Sequence, residues 1–192
     1  MADSLLDSQR TRGTNRKMNN LCVLIRVIFL VSFFLATLPA YAQTQIDQKA
    51  PGFITSTLDG KRIVLKEYWE KQGKRVIVLS LFATWCQPCK DDLKYLQKMQ
   101  DQYATHGLQI LAVLTKDSSG QDVVKRFLDK PGVSLSVLAD EYEIIGKRYG
   151  LIGLPSNFLI DREGILRAKY LGYSEEVKRD FEKRLKELLA IP

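Results

Sequence analysis

Cysteine and histidine are nearly missing from this chain: its 192 residues hold three cysteines, Cys22, Cys86 and Cys89, and one histidine, His106. A structural zinc site takes four ligands, normally two Cys-x-x-Cys pairs or one pair with two histidines. The chain lacks that set, so neither a metal nor any other cofactor is expected. Long apolar runs are also lacking. Val27 to Leu35 is short, with Arg26 at its edge, against the roughly 20 residues that a membrane helix needs. There is no internal repeat, low-complexity tract or Pro/Ser-rich linker, which leaves one continuous domain after the N-terminal segment. No aromatic-basic array points to nucleic acid. Basic residues alternate with acids, as in Lys178-Arg179-Asp180 and Glu182-Lys183-Arg184, which is the pattern of a solvated helix face.

What is present begins with a targeting signature. Arg10, Arg12, Arg16 and Lys17 precede the apolar stretch, which ends at Ala40-Tyr41-Ala42, the small-x-small pattern of a signal peptidase site. Residues 1–42 are expected to be a signal peptide cleaved before Gln43, with retention as a membrane anchor the alternative. Met18 offers a second start that would give a signal of more usual length. Cys22 precedes the apolar stretch and cannot be a lipoprotein cysteine. Residues 43–192 carry 24 Lys/Arg and 20 Asp/Glu, a mild excess, and are long enough for one domain with a substantial core. Both of their cysteines lie in one motif, and an exported destination is oxidising enough for disulfide chemistry.

That motif is Trp85-Cys86-Gln87-Pro88-Cys89, placed between the apolar run Val76–Phe82 and a helical pattern. A thiolate at Cys86 would meet unpaired N–H groups and the positive end of the helix dipole, which lowers a thiol from about 8.5 toward roughly 3.5–7.5. Cys89 follows one turn later, close enough for a disulfide that opens and closes. Cys86 is expected to be the exposed, acidic thiol and Cys89 the buried one. A static structural disulfide is the alternative, although so short a loop removes little unfolded-state entropy.

Along the rest of the chain, residues 43–51 look like a loose lead-in. Phe53–Thr57 and Arg62–Leu65 predict a hairpin through Asp59-Gly60. Arg75–Phe82 and Leu108–Thr115 read as buried strands. Leu93, Leu96, Met99 and Tyr103 mark a long amphipathic helix capped by Gly107. A helix through Val123, Val124, Phe127 and Leu128, a strand at 134–138 and a helix at 141–149 come next. Asn157–Ile160 and Ile165–Leu171 pair through Asp161–Gly164. Ser174 caps a last helix whose face is Val177, Phe181, Leu185 and Leu188. Alternating strands and helices closed by a hairpin and a C-terminal helix make an α/β sandwich with a mixed sheet.

Three segments, Phe82–Cys89, Tyr149–Pro155 and Phe158–Gly164, resemble the thioredoxin superfamily, and within it the exported TlpA/ResA-type thiol-disulfide oxidoreductases; the resemblance runs from about Ala50 to the end. It implies a thioredoxin-like three-layer sandwich with a mixed central sheet, an N-terminal hairpin and a central αβ insertion between Lys116 and Asp140. It also implies that Cys86 is the nucleophile, Cys89 the resolving cysteine, and Pro155 a cis-proline that turns the backbone of Leu154 toward the thiols to pair with substrate. Trp85 is expected to pack and to touch substrate. Two departures stand out. The buried strand acid of thioredoxin is replaced by Ser80, and the Glu found three residues after the second cysteine in this branch is the shorter Asp92. Asp92 either aids proton transfer at Cys89 or satisfies the helix dipole. Lys94 stands where these relatives tend to have proline, so the helix is expected to be less kinked. His106 reads as a surface or C-cap residue and Tyr149 as core.

The resemblance implies an enzyme that reduces disulfides in exported, periplasmic proteins, with apocytochrome c a possible substrate and a membrane thiol donor supplying electrons. The expected state is a monomer. Pro88 leans toward a reductant. A general reductase or isomerase is the alternative. A peroxiredoxin-like peroxidase would need proline and Thr/Ser where Leu79 and Ala83 stand. A metal-delivery protein of this fold would need wider cysteine spacing and a histidine after His106.

Overall fold

The computed structural model describes Arg26, residues 44–71 and residues 74–191. Apart from Arg26, the expected leader and cleavage site lie outside the described residues. Both sheets and the helices packed on them belong to the unit Gln43–Pro192. Among the described residues, no helix is long and apolar enough to cross a membrane.

Strands β1 (Ile54–Ser56) and β2 (Arg62–Val64) form an antiparallel hairpin, succeeded by the short helix α1 (Glu67–Glu70). Next come β3 (Val76–Phe82), α2 (Gln87–Tyr103), a 3-10 turn (Ala104–His106), β4 (Leu108–Thr115), α3 (Gln121–Asp129), β5 (Ser136–Asp140), α4 (Ile144–Tyr149), β6 (Ser156–Ile160), β7 (Leu166–Leu171) and α5 (Glu175–Leu189). The five-stranded sheet runs β5-β4-β3-β6-β7, with β3, β4 and β5 parallel and β6 and β7 antiparallel.

Every residue of β3 is buried, because successive side chains serve opposite faces and both faces are covered. Val76, Val78 and Phe82 pack with Leu93 and Leu96 of α2, Phe127 of α3 and Phe181 and Leu185 of α5. Ile77, Leu79 and Leu81 pack instead with Trp69 of α1, Tyr149 of α4 and Phe53. The result is the three-layer mixed α/β sandwich expected from the sequence. The αβ insertion is there too: β5 extends the parallel side of the sheet, and the hairpin attaches to it through the Thr57–Leu138 bridge and the Thr55 hydroxyl, which donates to the Ala139 carbonyl at 2.6 Å.

Several boundaries differ from the sequence reading, each for a local reason. The lead-in is not loose: Thr44 is buried, the Asp47 N–H donates to Leu166 O at 2.7 Å, and Ala50 N–H donates to Gly164 O at 2.9 Å. The Lys169 ammonium donates to the Thr44 carbonyl. Strand β5 starts at 136 rather than 134, because the Ser134 N–H is taken by the Gln97 side chain at 2.8 Å. Helix α4 starts at 144 rather than 141, since Asp140 accepts from the N–H groups of Ile145 and Gly146, both at 2.9 Å, and Glu143 sits at φ 55°. In the β1–β2 turn Gly60 alone takes a positive φ, 87°. Gly107, at φ 91°, ends the 3-10 turn and not α2 itself.

Candidate active site

Parallel β3 delivers the chain to the start of α2, and there the cysteines sit. Cys86 is the N-cap of α2, with extended backbone (φ −84°, ψ 101°), and Pro88 occupies the first turn, where a missing N–H costs nothing. Cys86 and Cys89 form a disulfide, with Cα atoms 5.4 Å apart. Cys86 keeps 5% of its surface in solvent and Cys89 none. The expected order of exposure holds, but Cys86 is far more covered than the sequence reading had it.

The loop before the helix is held from the side. Thr84 N–H donates to Asp117 at 2.5 Å, the Thr84 and Ser119 hydroxyls meet at 3.1 Å, and the Trp85 indole N–H donates to the Lys116 carbonyl at 3.1 Å. Burial pushes the Asp117 carboxyl up, but the hydrogen bonds from Thr84 and Ser119 outweigh it and hold the group below its ordinary range. Trp85 nevertheless leaves 61% of its surface free beside the cysteines. A cleft of about 1000 Å³ lies along that same supporting loop, lined by Lys116, Asp117 and Ser119 but by neither cysteine.

Antiparallel pairing of β6 with β3 puts Ser156 opposite Leu81, so Leu154-Pro155 arrives at the same end of the sheet as the cysteines. The Leu154–Pro155 bond is cis, as the resemblance implies. Ile152, just before it, is 83% exposed.

Asp92 lies on the buried face of α2, one turn beyond Cys89, and is 3% exposed. It stands past the first turn of α2, and its oxygens accept from the Asn157 side-chain amide at 3.0 and 3.1 Å and from the Ser80 hydroxyl at 3.4 Å. Burial pushes its carboxyl up from 3.8 to about 7, against those two hydrogen bonds, which pull it down. The Ser80 that replaces the strand acid is therefore a neighbour of the carboxylate that remains. Asn157 escaped the sequence reading; the available signal was an amide side chain leading into the apolar run Phe158–Ile160, two positions after Pro155. His106 is exposed, and Tyr149 is fully buried with its hydroxyl donating to Pro51 O at 2.9 Å. Among the described residues no cluster of metal-ligating side chains exists.

A Cys-x-x-Cys disulfide at a helix N-terminus, set on a thioredoxin-like sandwich at the same end of the sheet as a cis-proline, defines a thiol-disulfide oxidoreductase acting on protein disulfides. Comparison with known proteins agrees: the chain matches the AhpC/TSA family over residues 46–169 and belongs to it. It is similar to the thiol-disulfide oxidoreductase ResA of Bacillus thuringiensis subsp. konkukian, 34% identical over 145 residues that cover 75% of this chain and 79% of the relative. It is also similar to the thioredoxin-like protein YneN of Bacillus subtilis, at 27% identity over 73% of this chain and 79% of that one. Among solved structures, a candidate thiol:disulfide interchange protein DsbE from Chlorobium tepidum superposes with a TM-score of 0.67 at 26% identity, covering 77% of this chain and 99% of its own.

Proposed function

We propose that the protein is an exported reductase of protein disulfides, in which Cys86 attacks, Cys89 resolves, Asp92 takes the proton of Cys89, and Trp85 with Leu154-Pro155 seats an extended substrate segment. The observation that carries this reading is the disulfide itself, with one sulfur at the helix mouth, the other fully buried, and a buried carboxyl one turn behind. In the reduced protein the Cys86 thiolate attacks a substrate disulfide, and one substrate thiolate leaves. The Cys89 proton passes to Asp92, and the new thiolate attacks Cys86 Sγ. The Cys86–Cys89 bond forms, the mixed disulfide breaks, and the second substrate thiolate leaves with the electron pair. The substrate gains two electrons and the protein loses two, so a thiol donor at the membrane must re-reduce the pair.

The substrate class we favour is apocytochrome c, whose haem-attachment cysteines must be reduced. Cys89→Ser leaves Cys86 able to attack and unable to let go. Proteins captured on it in native cells, identified by mass spectrometry, should carry Cys-x-x-Cys-His segments. Capture of diverse secreted proteins would replace this with a general reductase or isomerase reading. Export itself is tested by intact mass: protein from the exported fraction should begin at Gln43, whereas full-length protein in the membrane pellet would make the leader an anchor.

A further inference from the structure

Ser80, Asn157 and Tyr170 stand in register across β3, β6 and β7, on the face that α2 and α5 cover. Asp92 reaches from α2 onto the first two of them. Asn157 is 2% exposed, and its Nδ2 donates to both Asp92 oxygens at 3.0 and 3.1 Å. Its Oδ1 is buried as well and meets no donor among the described residues. In this orientation the amide offers Asp92 its donor and not its acceptor. A carboxylic acid needs in addition an acceptor for its O–H, and a side-chain amide carries donor and acceptor on one rotatable plane. Ser80 can also give or take a hydrogen bond, but it lies at 3.4 Å.

We propose that Asn157 is a positioning residue for the redox pair: its amide donates through Nδ2 to the charged Asp92 and, turned by half a revolution, accepts through Oδ1 from the protonated Asp92. The inference rests on Asp92 being the proton acceptor of Cys89. When Cys89 gives up its proton, its electron pair forms the bond to Cys86 Sγ. The proton rests on Asp92, held by Asn157 Oδ1, while the exchange completes and then leaves to solvent. The disulfide form, with Nδ2 turned onto both Asp92 oxygens, is the state after that loss, and the thiol donor that next reduces the disulfide returns a proton to Cys89. Without Asn157, the charged form of Asp92 loses the two hydrogen bonds that Nδ2 gives it and the acid loses one acceptor. The charged form loses more, because hydrogen bonds to ions are the stronger ones. The groups facing Asp92 are Cys89 from its own helix, Ser80 from β3 and Asn157 from β6. Tyr170 of β7 and Asp180 of α5 are hydrogen-bonded to each other at 2.7 Å, and Tyr95 of α2 donates to Glu182 of α5 at 3.5 Å.

The test tracks the second thiolate released when reduced protein reacts with an activated aromatic disulfide, since that release is the attack by Cys89, and measures its rate against pH. Asn157→Val should raise the midpoint of the profile by about one unit. Asn157→Thr, of the same shape but with a hydroxyl that both donates and accepts, should return the midpoint to the wild-type value. In an Asp92→Asn protein, adding Asn157→Val should change the profile no further. A merely structural Asn157 would lower the melting temperature and leave the midpoint where it was. An unmoved midpoint in Asn157→Val, with Asp92→Asn shifting it, overturns this inference alone; an unmoved midpoint in Asp92→Asn overturns the proton-acceptor reading as well. Should Asn157→Val not fold, NMR of the wild type decides: the Asn157 side-chain amide signal should titrate with the Asp92 carboxyl, and a flat signal overturns the proposal.

Discussion

The carboxyl of Asp92 shows how much one buried residue makes stability depend on pH. Its pKa in the folded protein is raised to about 7 from 3.8, so the folded state holds a proton that the unfolded state has released. The contribution is present in full below about 4 and is lost as the pH rises through about 7, with a ceiling of roughly 4 kcal/mol at 1.36 kcal/mol per unit. The urea midpoint of the oxidised protein should therefore fall between these pH values, and Asp92→Asn should flatten the decline. A midpoint that rises over that range would contradict the burial-driven shift. At this scale Cys86, Cys89 and Pro155 were legible because their spacing and neighbours are distinctive. Asp92 was half legible: it lies in the stripe of Leu93 and Leu96, which marks a buried face, yet its acidity near a helix start reads equally as a dipole partner. Asn157 could be marked as a polar residue in a strand, but its purpose was illegible, because it is set by a residue 65 positions away on another element.

Elements were read well where one physical signal dominated. Strand β4 begins and ends where its apolar run does, and α5 starts at Ser174, whose hydroxyl accepts from the Val177 N–H at 3.2 Å. Boundaries moved where a side chain from elsewhere captured the backbone, as Gln97 does at Ser134 and Asp140 does at the start of α4. The β6–β7 turn gives a quantitative case. Gly164 has φ +76°, and a Cβ there would lie 2.7 Å from the Trp69 ring of α1; Gly60 has φ +87° with nothing within 4 Å. Gly164→Ala combines backbone strain with overpacking and should destabilise by about 2–4 kcal/mol. Gly60→Ala, with strain alone, should cost about 1 kcal/mol. Equal urea midpoints for the two variants would show that Trp69 gives way freely.

On the scale of the whole molecule, alternation of strands and helices foretold the sandwich, but the sheet order and the stitching of residues 44–50 along β7 depend on pairings between distant segments that no local pattern encodes. The same assembly separates the chain's two tryptophans by environment. Trp69 is 8% exposed on the face of the sheet opposite α2, whereas Trp85 is 61% exposed and next in sequence to the disulfide. A disulfide beside an excited indole quenches its emission, so the protein carries an optical readout of its own oxidation state with no dye attached. Reduction should brighten the long-wavelength, water-exposed component from Trp85, and Trp69→Phe should leave that change intact; loss of the change in Trp69→Phe would assign the signal to the wrong ring. Trp69, shielded from solvent, reports instead on whether the sandwich is closed, which allows electron transfer and unfolding to be tracked separately in one sample by colour.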